Sequence, residues 1–251
     1  MLLIDVGNSR VKWAWIESGA WSRQGAVENA QVEILRETFN DFAAPEKIIA
    51  SNVAGEKMAQ QLQAICDNWS GRIEFIAARN EQCGVRNLYQ TPEQLGSDRW
   101  AALIAAWQLE HTSCLVVNCG TATTVDALSP HGEYLGGLIL PGVGMMQKSL
   151  ATGTVLLKAE EINGNWKKFP RTTSDAIVSG AIQATAGAIR LQYEALAEYG
   201  VPRCLVSGGA AASVLPHLDM PLSRVENLVL HGLQIIAQET NISQQTRART
   251  L

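Results

Sequence analysis

Apolar residues in the 251-residue chain fall into short runs and alternations divided by glycine and polar clusters. Leu2–Ile4 is an apolar run that ends in Asp5, which predicts a strand over 2–5. Over 10–16 the pattern alternates, with Val11, Trp13 and Trp15 on one face and Lys12 on the other. That is the period of a half-buried strand, and Gly7-Asn8-Ser9 between the two runs predicts a hairpin. A helical stretch around 29–42, a strand over 47–52 and a helix over 56–69 follow. The second helix turns Met58, Leu62, Ile65 and Trp69 to one side, and a strand over 72–77 completes the block.

Residues 79–97 read as loop. They end in Leu95-Gly96-Ser97-Asp98-Arg99, which opens a helix over 98–110. Trp100, Leu103, Ile104 and Trp107 line one face of it, and Ser97 is the expected N-cap. The opening pattern then restarts. Leu2-Leu3-Ile4-Asp5-Val6-Gly7-Asn8-Ser9 is answered 113 positions later by Leu115-Val116-Val117-Asn118-Cys119-Gly120-Thr121-Ala122. Beyond it come a strand over 123–128, a glycine-rich stretch over 136–142, a long helix over 174–199, a strand over 203–207 and a helix over 226–239. The polar last dozen residues are expected to fray. Hairpins followed by alternating helix and strand imply mixed sheets flanked by helices. The repeat places a domain boundary near residue 112, giving duplicated α/β domains over 1–112 and 113–251.

Composition narrows the function classes. The chain is 47% hydrophobic and 18% charged with net charge −4, which suits a globular protein and not a nucleic-acid binder. No apolar run approaches the roughly 18 residues of a membrane span. The N-terminus opens directly on a buried-type strand, so a cytoplasmic location is expected. The five cysteines include no CxxC pair and read as buried thiols. The four histidines sit near no acidic or thiol cluster, so no histidine metal site is expected.

The chemistry concentrates at the repeated turns. A strand that ends in a glycine turn presents backbone N–H groups to a phosphate. Such a turn also serves an ordinary hairpin, but Asp5 at the end of an apolar strand needs a partner such as a hydrated Mg²⁺ or a backbone donor. Lys12 is a solvated strand residue or a phosphate contact. The second turn and its threonines read as a second phosphate clamp. At Gly96-Ser97-Asp98-Arg99 two readings stand: a helix-start acid beside a solvated arginine, or a general base beside an anion clamp. Ser207-Gly208-Gly209-Ala210 suits either close backbone packing or the approach of a base or ribose.

Together, DVGNS at 5–9, GSDR at 96–99, NCGTATTVD at 118–126, GGLILPG at 136–142 and SGGA at 207–210 resemble the type III pantothenate kinases, in order and over nearly the whole chain. The resemblance implies two RNase H-like domains of the actin-like ATPase superfamily with ATP between them. It implies transfer of the γ-phosphoryl group to the primary hydroxyl of pantothenate, the first step towards coenzyme A, with Mg²⁺ and a monovalent cation, K⁺ or NH₄⁺. It makes Asp98 the proton acceptor, and puts Gly96, Ser97, Arg99 and Tyr89 beside pantothenate, with Thr173 a substrate contact supplied either within the chain or from the partner subunit of a dimer. Asp5, Val6, Gly7, Asn8, Ser9, Arg10, Val11 and Lys12 become the ATP turn, with Thr121 at the phosphates. Many members carry Asp where this chain has Asn118, and that Asp helps bind the monovalent cation; an amide oxygen can ligate K⁺ but brings no charge. A homodimer is implied as well, and Gly180, Ala184 and Gly187 on the long helix suit either a dimer contact or close packing within one chain. The rival readings are a kinase for another small alcohol and a nucleotide-gated binding protein that releases no ADP.

Overall fold

The computed structural model describes residues 1–69, 71–153 and 163–249. They form two compact units, one of residues 1–109 with 228–251 and one of residues 110–227.

In the first unit β1 (Leu2–Val6), β2 (Arg10–Glu17), β3 (Ala20–Glu28), β4 (Ile48–Asn52) and β5 (Ile73–Phe75) form a sheet in the order β3-β2-β1-β4-β5. β1 pairs antiparallel with β2 and parallel with β4. Every residue of β1 is buried, which is why its sequence is a continuous apolar run and not an alternation. Trp13 and Trp15 leave β2 towards α1 (Ile34–Asn40) and α2 (Glu56–Cys66), where they nest with Phe39, Phe42 and Trp69. The predicted helix over 29–42 is shorter in fact, a 3₁₀ turn at Asn29–Gln31 followed by α1. β3 has no counterpart among the predicted elements. It is an edge strand whose residues are exposed or half-buried, so no apolar run marks it. Its Gly25 lets the Trp13 indole lie on the strand, where a Cβ would stand 2.9 Å from the ring.

The segment expected to be loop holds a small hairpin, β6 (Glu81–Gln82) and β7 (Val85–Asn87). α3 (Ser97–Glu110) follows, and its Trp100 is wholly buried with its indole N–H on Gln82 Oε1 at 3.1 Å.

The second unit repeats the plan. β8 (Cys114–Cys119), β9 (Ala122–Leu128), β10 (Glu133–Pro141), β11 (Arg203–Ser207) and β12 (Ser223–Arg224) run in the order β12-β11-β8-β9-β10. β8 pairs antiparallel with β9 and parallel with β11, matching β1 with β2 and β4. The glycine-rich stretch is therefore a strand, β10, with an irregularity between Tyr134 and Gly136. α4 (Val143–Gly153), α5 (Thr173–Leu196) and the short α6 (Ala211–Val214) complete the unit. Thr172 caps α5, its hydroxyl accepting the Asp175 N–H at 3.2 Å.

The last helix, α7 (Leu228–Arg249), departs from the expected division at 113–251. Leu228, Leu230, Leu233, Ile236 and Ala237 are buried, and the helix packs on β1 and β4, so it belongs with the first unit. Gly232 makes this possible: a Cβ there would collide with the Ala101 backbone of α3. The tail expected to fray continues α7 to Arg249, and residues 250 and 251 lie outside the described residues.

Candidate active site

β1 delivers Asp5 one residue before the first glycine turn, in register with Lys12 on β2 and Ser51 on β4. Asp5 is only 8% exposed. Burial lifts its carboxyl from an ordinary 3.8 to about 7; Lys12 works against the lift and the charge of Asp98 adds to it. The turn itself is tight, with the Gly7 N–H on Arg10 O at 3.0 Å. Asn8, Ser9 and Arg10 are exposed, whereas the Val6 and Val11 side chains are wholly buried in the core. Those two valines can offer a ligand only their backbone.

The Gly96–Arg99 corner comes to the same end of the sheet through Ser51. Ser51 and Ser97 are both buried and their hydroxyls are 2.9 Å apart. Ser97 is thus not the N-cap expected of it: α3 begins at this residue, and its hydroxyl is taken by β4. Asp98 Oδ1 instead accepts the Arg99 N–H at 2.8 Å. Gly96 leaves room for this arrangement, since a Cβ would stand 2.7 Å from Asp98 Oδ1 and push the carboxylate aside. Burial raises the Asp98 carboxyl above the ordinary carboxylate range, against the pull of the Arg99 N–H and the Arg99 charge. A helix start alone does not predict that gain in basicity. Arg99 is buried, donates Nη1–H to Tyr89 Oη at 3.3 Å and lies 6.0 Å from the centroid of that ring. Asp5, Lys12, Tyr89 and Gly96–Arg99 therefore belong to one unit, and the charge of Asp98 reaches Asp5.

The second unit holds Asn118, Thr121 and Thr173. Asn118 is half-buried, paired with Thr124 on β9 and Ser207 on β11. Its turn is one residue tighter than the first, closing with the Gly120 N–H on Ala122 O at 2.9 Å, and Thr121 is exposed at its tip. Thr173 is exposed in the first turn of α5. Gly208 (φ 98°) lies against the Cys119 backbone, so it serves close packing of β11 on β8. Gly209 has no atom within 4 Å of a Cβ position.

Three contributors lie outside the expected site residues. Asn29 donates Nδ2–H to Gly7 O at 2.9 Å and its backbone N–H to Ser9 O at 3.0 Å. Ser51 holds Ser97, and Gly142 donates its N–H to Thr121 O at 2.9 Å. None lies in a local motif with the group it holds; for Asn29 and Gly142 the signal was available in the repeat, since both directly follow the third strand of their unit.

Among the described residues no group of three or more His, Cys, Asp or Glu side chains gathers as a metal cluster. The cysteines are free; burial pushes Cys119 up to about 11 and Cys66, Cys83 and Cys204 up to about 12, so none is a ready nucleophile. No described helix is long and apolar enough to cross a membrane.

A buried carboxylate beside a glycine turn, a second carboxylate of raised basicity and a buried arginine are equipment for transferring a phosphoryl group to an alcohol. A family model of type III pantothenate kinases matches residues 1–195. A type III pantothenate kinase of Nitrosospira multiformis is 45% identical over 244 residues, covering 96% of this chain and 92% of the relative. Among solved structures, a Campylobacter jejuni protein described as a Baf family transcriptional activator shares the fold at a TM-score of 0.62 and 24% identity, covering 96% of this chain and all of the other. The activator of 2-hydroxyisocaproyl-CoA dehydratase from Clostridium difficile, solved with ADPNP, shares it at a TM-score of 0.54 and 12% identity, covering 98% and 97% of the two chains. The mixed sheets flanked by helices are those of the actin-like ATPase and sugar kinase folds, and the chain belongs to the type III pantothenate kinase family.

Proposed function

We propose that the protein phosphorylates pantothenate on its primary hydroxyl at the expense of ATP, yielding 4′-phosphopantothenate at the head of coenzyme A biosynthesis. The observation that carries this reading is the gathering of Asp5, Ser97, Asp98 and Arg99 at one end of the first sheet, in a chain of this family.

Asp98 accepts the hydroxyl proton as the pantothenate oxygen bonds to the γ-phosphorus and the bond to the β–γ bridging oxygen breaks, leaving ADP. Its raised basicity suits that role, because a base works best with a pKa near the operating pH. Arg99, held by Tyr89, clamps the anionic end of pantothenate, and Gly96, Ser97 and Tyr89 line that substrate, with Thr173 contributed by the partner subunit of a dimer. The turn from Asp5 to Lys12 takes the ATP phosphates through backbone N–H groups and the Lys12 charge. In the second unit the exposed Thr121 is the phosphate contact of its own turn.

Mg²⁺ fits Asp5. Among the described residues no group of three or more His, Cys, Asp or Glu gathers around it, and Mg²⁺ is ordinarily held by one or two carboxylates plus substrate phosphates. A carboxylate whose burial favours the neutral form also gains from a cation. When bound, the ion neutralises charge on the phosphates; Asp5 and the turn orient them. Asn118, half-buried at the end of β8, would offer a monovalent cation an uncharged amide oxygen. The enzyme works in the cytoplasm as a homodimer. Gly180 and Ala184 are exposed on α5, and among the described residues a Cβ at Gly180 or Gly187 meets no atom beyond its own helix within 4 Å, which leaves room for a contact with a second copy.

ADP release from ATP and Mg²⁺ in K⁺ buffer, with and without pantothenate, tests the reading. Turnover that depends on pantothenate supports it. Turnover with a hexose or polyol but not pantothenate replaces the acceptor, and nucleotide binding without turnover replaces the enzyme by a nucleotide-gated binding protein.

A further inference from the structure

Asn29 stands just past β3, and Gly142 stands at the corresponding place past β10, 113 positions later. Both donate a backbone N–H to a carbonyl of their unit's glycine turn, Asn29 to Ser9 O at 3.0 Å and Gly142 to Thr121 O at 2.9 Å. The duplication has therefore kept a backbone lock on each turn. The copies differ in the side chain. Asn29 Nδ2–H adds a bond to Gly7 O at 2.9 Å, whereas a Cβ at Gly142 would collide with the backbone of Gly120.

The orientation of the Asn29 amide is not arbitrary. Gly7 O only accepts, so the nitrogen must face it, and Asn29 Oδ1 is left buried without a hydrogen-bond partner among the described residues. The bond to Gly7 O does, however, fix a peptide plane. In a trans peptide the N–H points opposite to the C=O, so holding Gly7 O on Asn29 turns the Asn8 N–H to the other side of the turn. The same bond keeps the negative end of that carbonyl away from where phosphate oxygens would lie.

We propose that Asn29 is a positioning residue for the nucleotide, setting the first turn so that its N–H groups, and not its carbonyls, meet the phosphates. This rests on the reading of that turn as the ATP site. The test is Asn29→Gly, which copies the residue of the second unit and keeps the backbone lock, alongside the isosteric Asn29→Asp, which replaces the donor by an acceptor. Binding of Mg-ADP to the full chain is measured by calorimetry, and steady-state KM for ATP and for pantothenate are measured in parallel.

The expected result is about tenfold weaker nucleotide binding and higher KM for ATP in Asn29→Gly, the size of one net hydrogen bond, with a larger loss in Asn29→Asp. The KM for pantothenate stays near wild type in both variants; the Tm without nucleotide stays near wild type in Asn29→Gly, whereas Asn29→Asp lowers it by setting a buried carboxylate against Gly7 O. Unchanged nucleotide affinity in both variants overturns the proposal. So does an equal rise of both KM values with a fall in Tm in Asn29→Gly, which marks a merely structural role. Wild-type protein that binds no Mg-ADP overturns the nucleotide reading of the turn itself, and this proposal with it. Wild-type protein that binds Mg-ADP but does not turn over pantothenate overturns only the acceptor.

Discussion

Asp5 and Asp98 differ from surface carboxylates in that burial raises both. For Asp5 the native value of about 7 lies above the ordinary 3.8, so the native state holds a proton that the unfolded chain has given up across that window. Stability from this group is complete below 3.8 and declines as pH rises towards about 7. Asp5→Asn removes the dependence. Its Tm should match wild type near pH 4 and exceed it by several degrees near pH 8 in thermal melts without nucleotide or Mg²⁺, because each tenfold weakening of the acid on folding corresponds to about 1.36 kcal/mol. A Tm difference that is flat with pH would mean that Asp5 titrates normally. Asp98→Asn should keep the fold and Mg-ADP binding while lowering kcat by about 10²–10⁴-fold, the usual weight of general-base catalysis. Near wild-type turnover would remove Asp98 from that role.

At the scale of elements, two glycines show how backbone proximity sets the site. Gly96 gives room to the Asp98 carboxylate, and Gly232 lets α7 lie on α3. Gly232→Ala should destabilise the protein by about 1–3 kcal/mol, as overpacking does, and chemical denaturation would register it as a lower midpoint at unchanged slope. The Thr172 cap is an independent element. Thr172→Ala should cost about 1 kcal/mol by loss of the bond to the Asp175 N–H. The strands and helices that sequence periodicity marked best, β1, β2, β4 and α3, are those with one strongly apolar face or a fully buried run. β3 escaped because an edge strand carries few buried side chains. α7 was recognised as a helix and placed by the repeat with 113–251, whereas it groups with residues 1–109; periodicity reports that a face is buried and not against what.

At the scale of the molecule, the first unit is built from both ends of the chain and the second from a continuous middle stretch. Deleting residues 228–251 should therefore disrupt the first unit, exposing the β1 and β4 surface that α7 covers. Circular dichroism and amide exchange of the truncated chain should show lost protection in β1 and β4; retained native protection there would show that α7 is dispensable. The same strand order in both units makes duplication the economical account of the fold. The copies have since diverged in chemistry. Asp5 faces Lys12 in one, while Asn118 is paired with Thr124 in the other.

The sequence by itself determined what covalent spacing can carry. A strand, a glycine and a small polar residue within eight positions make a turn wherever they occur, and two such turns at a constant offset signal duplication. The GSDR corner was legible for the same reason, as a loop meeting a helix within four residues. Tertiary structure decided everything that depends on neighbours remote in the chain: the Ser51–Ser97 contact, the hold of Asn29 on Gly7, and the place of α7. It also decided the chemistry of the two carboxylates. An isolated aspartate at a helix start or strand end is predicted to be a strong acid, and only burial beside a second carboxylate raises Asp5 to about 7. Desolvation and charge proximity are properties of the packed neighbourhood, which no local pattern of residues encodes.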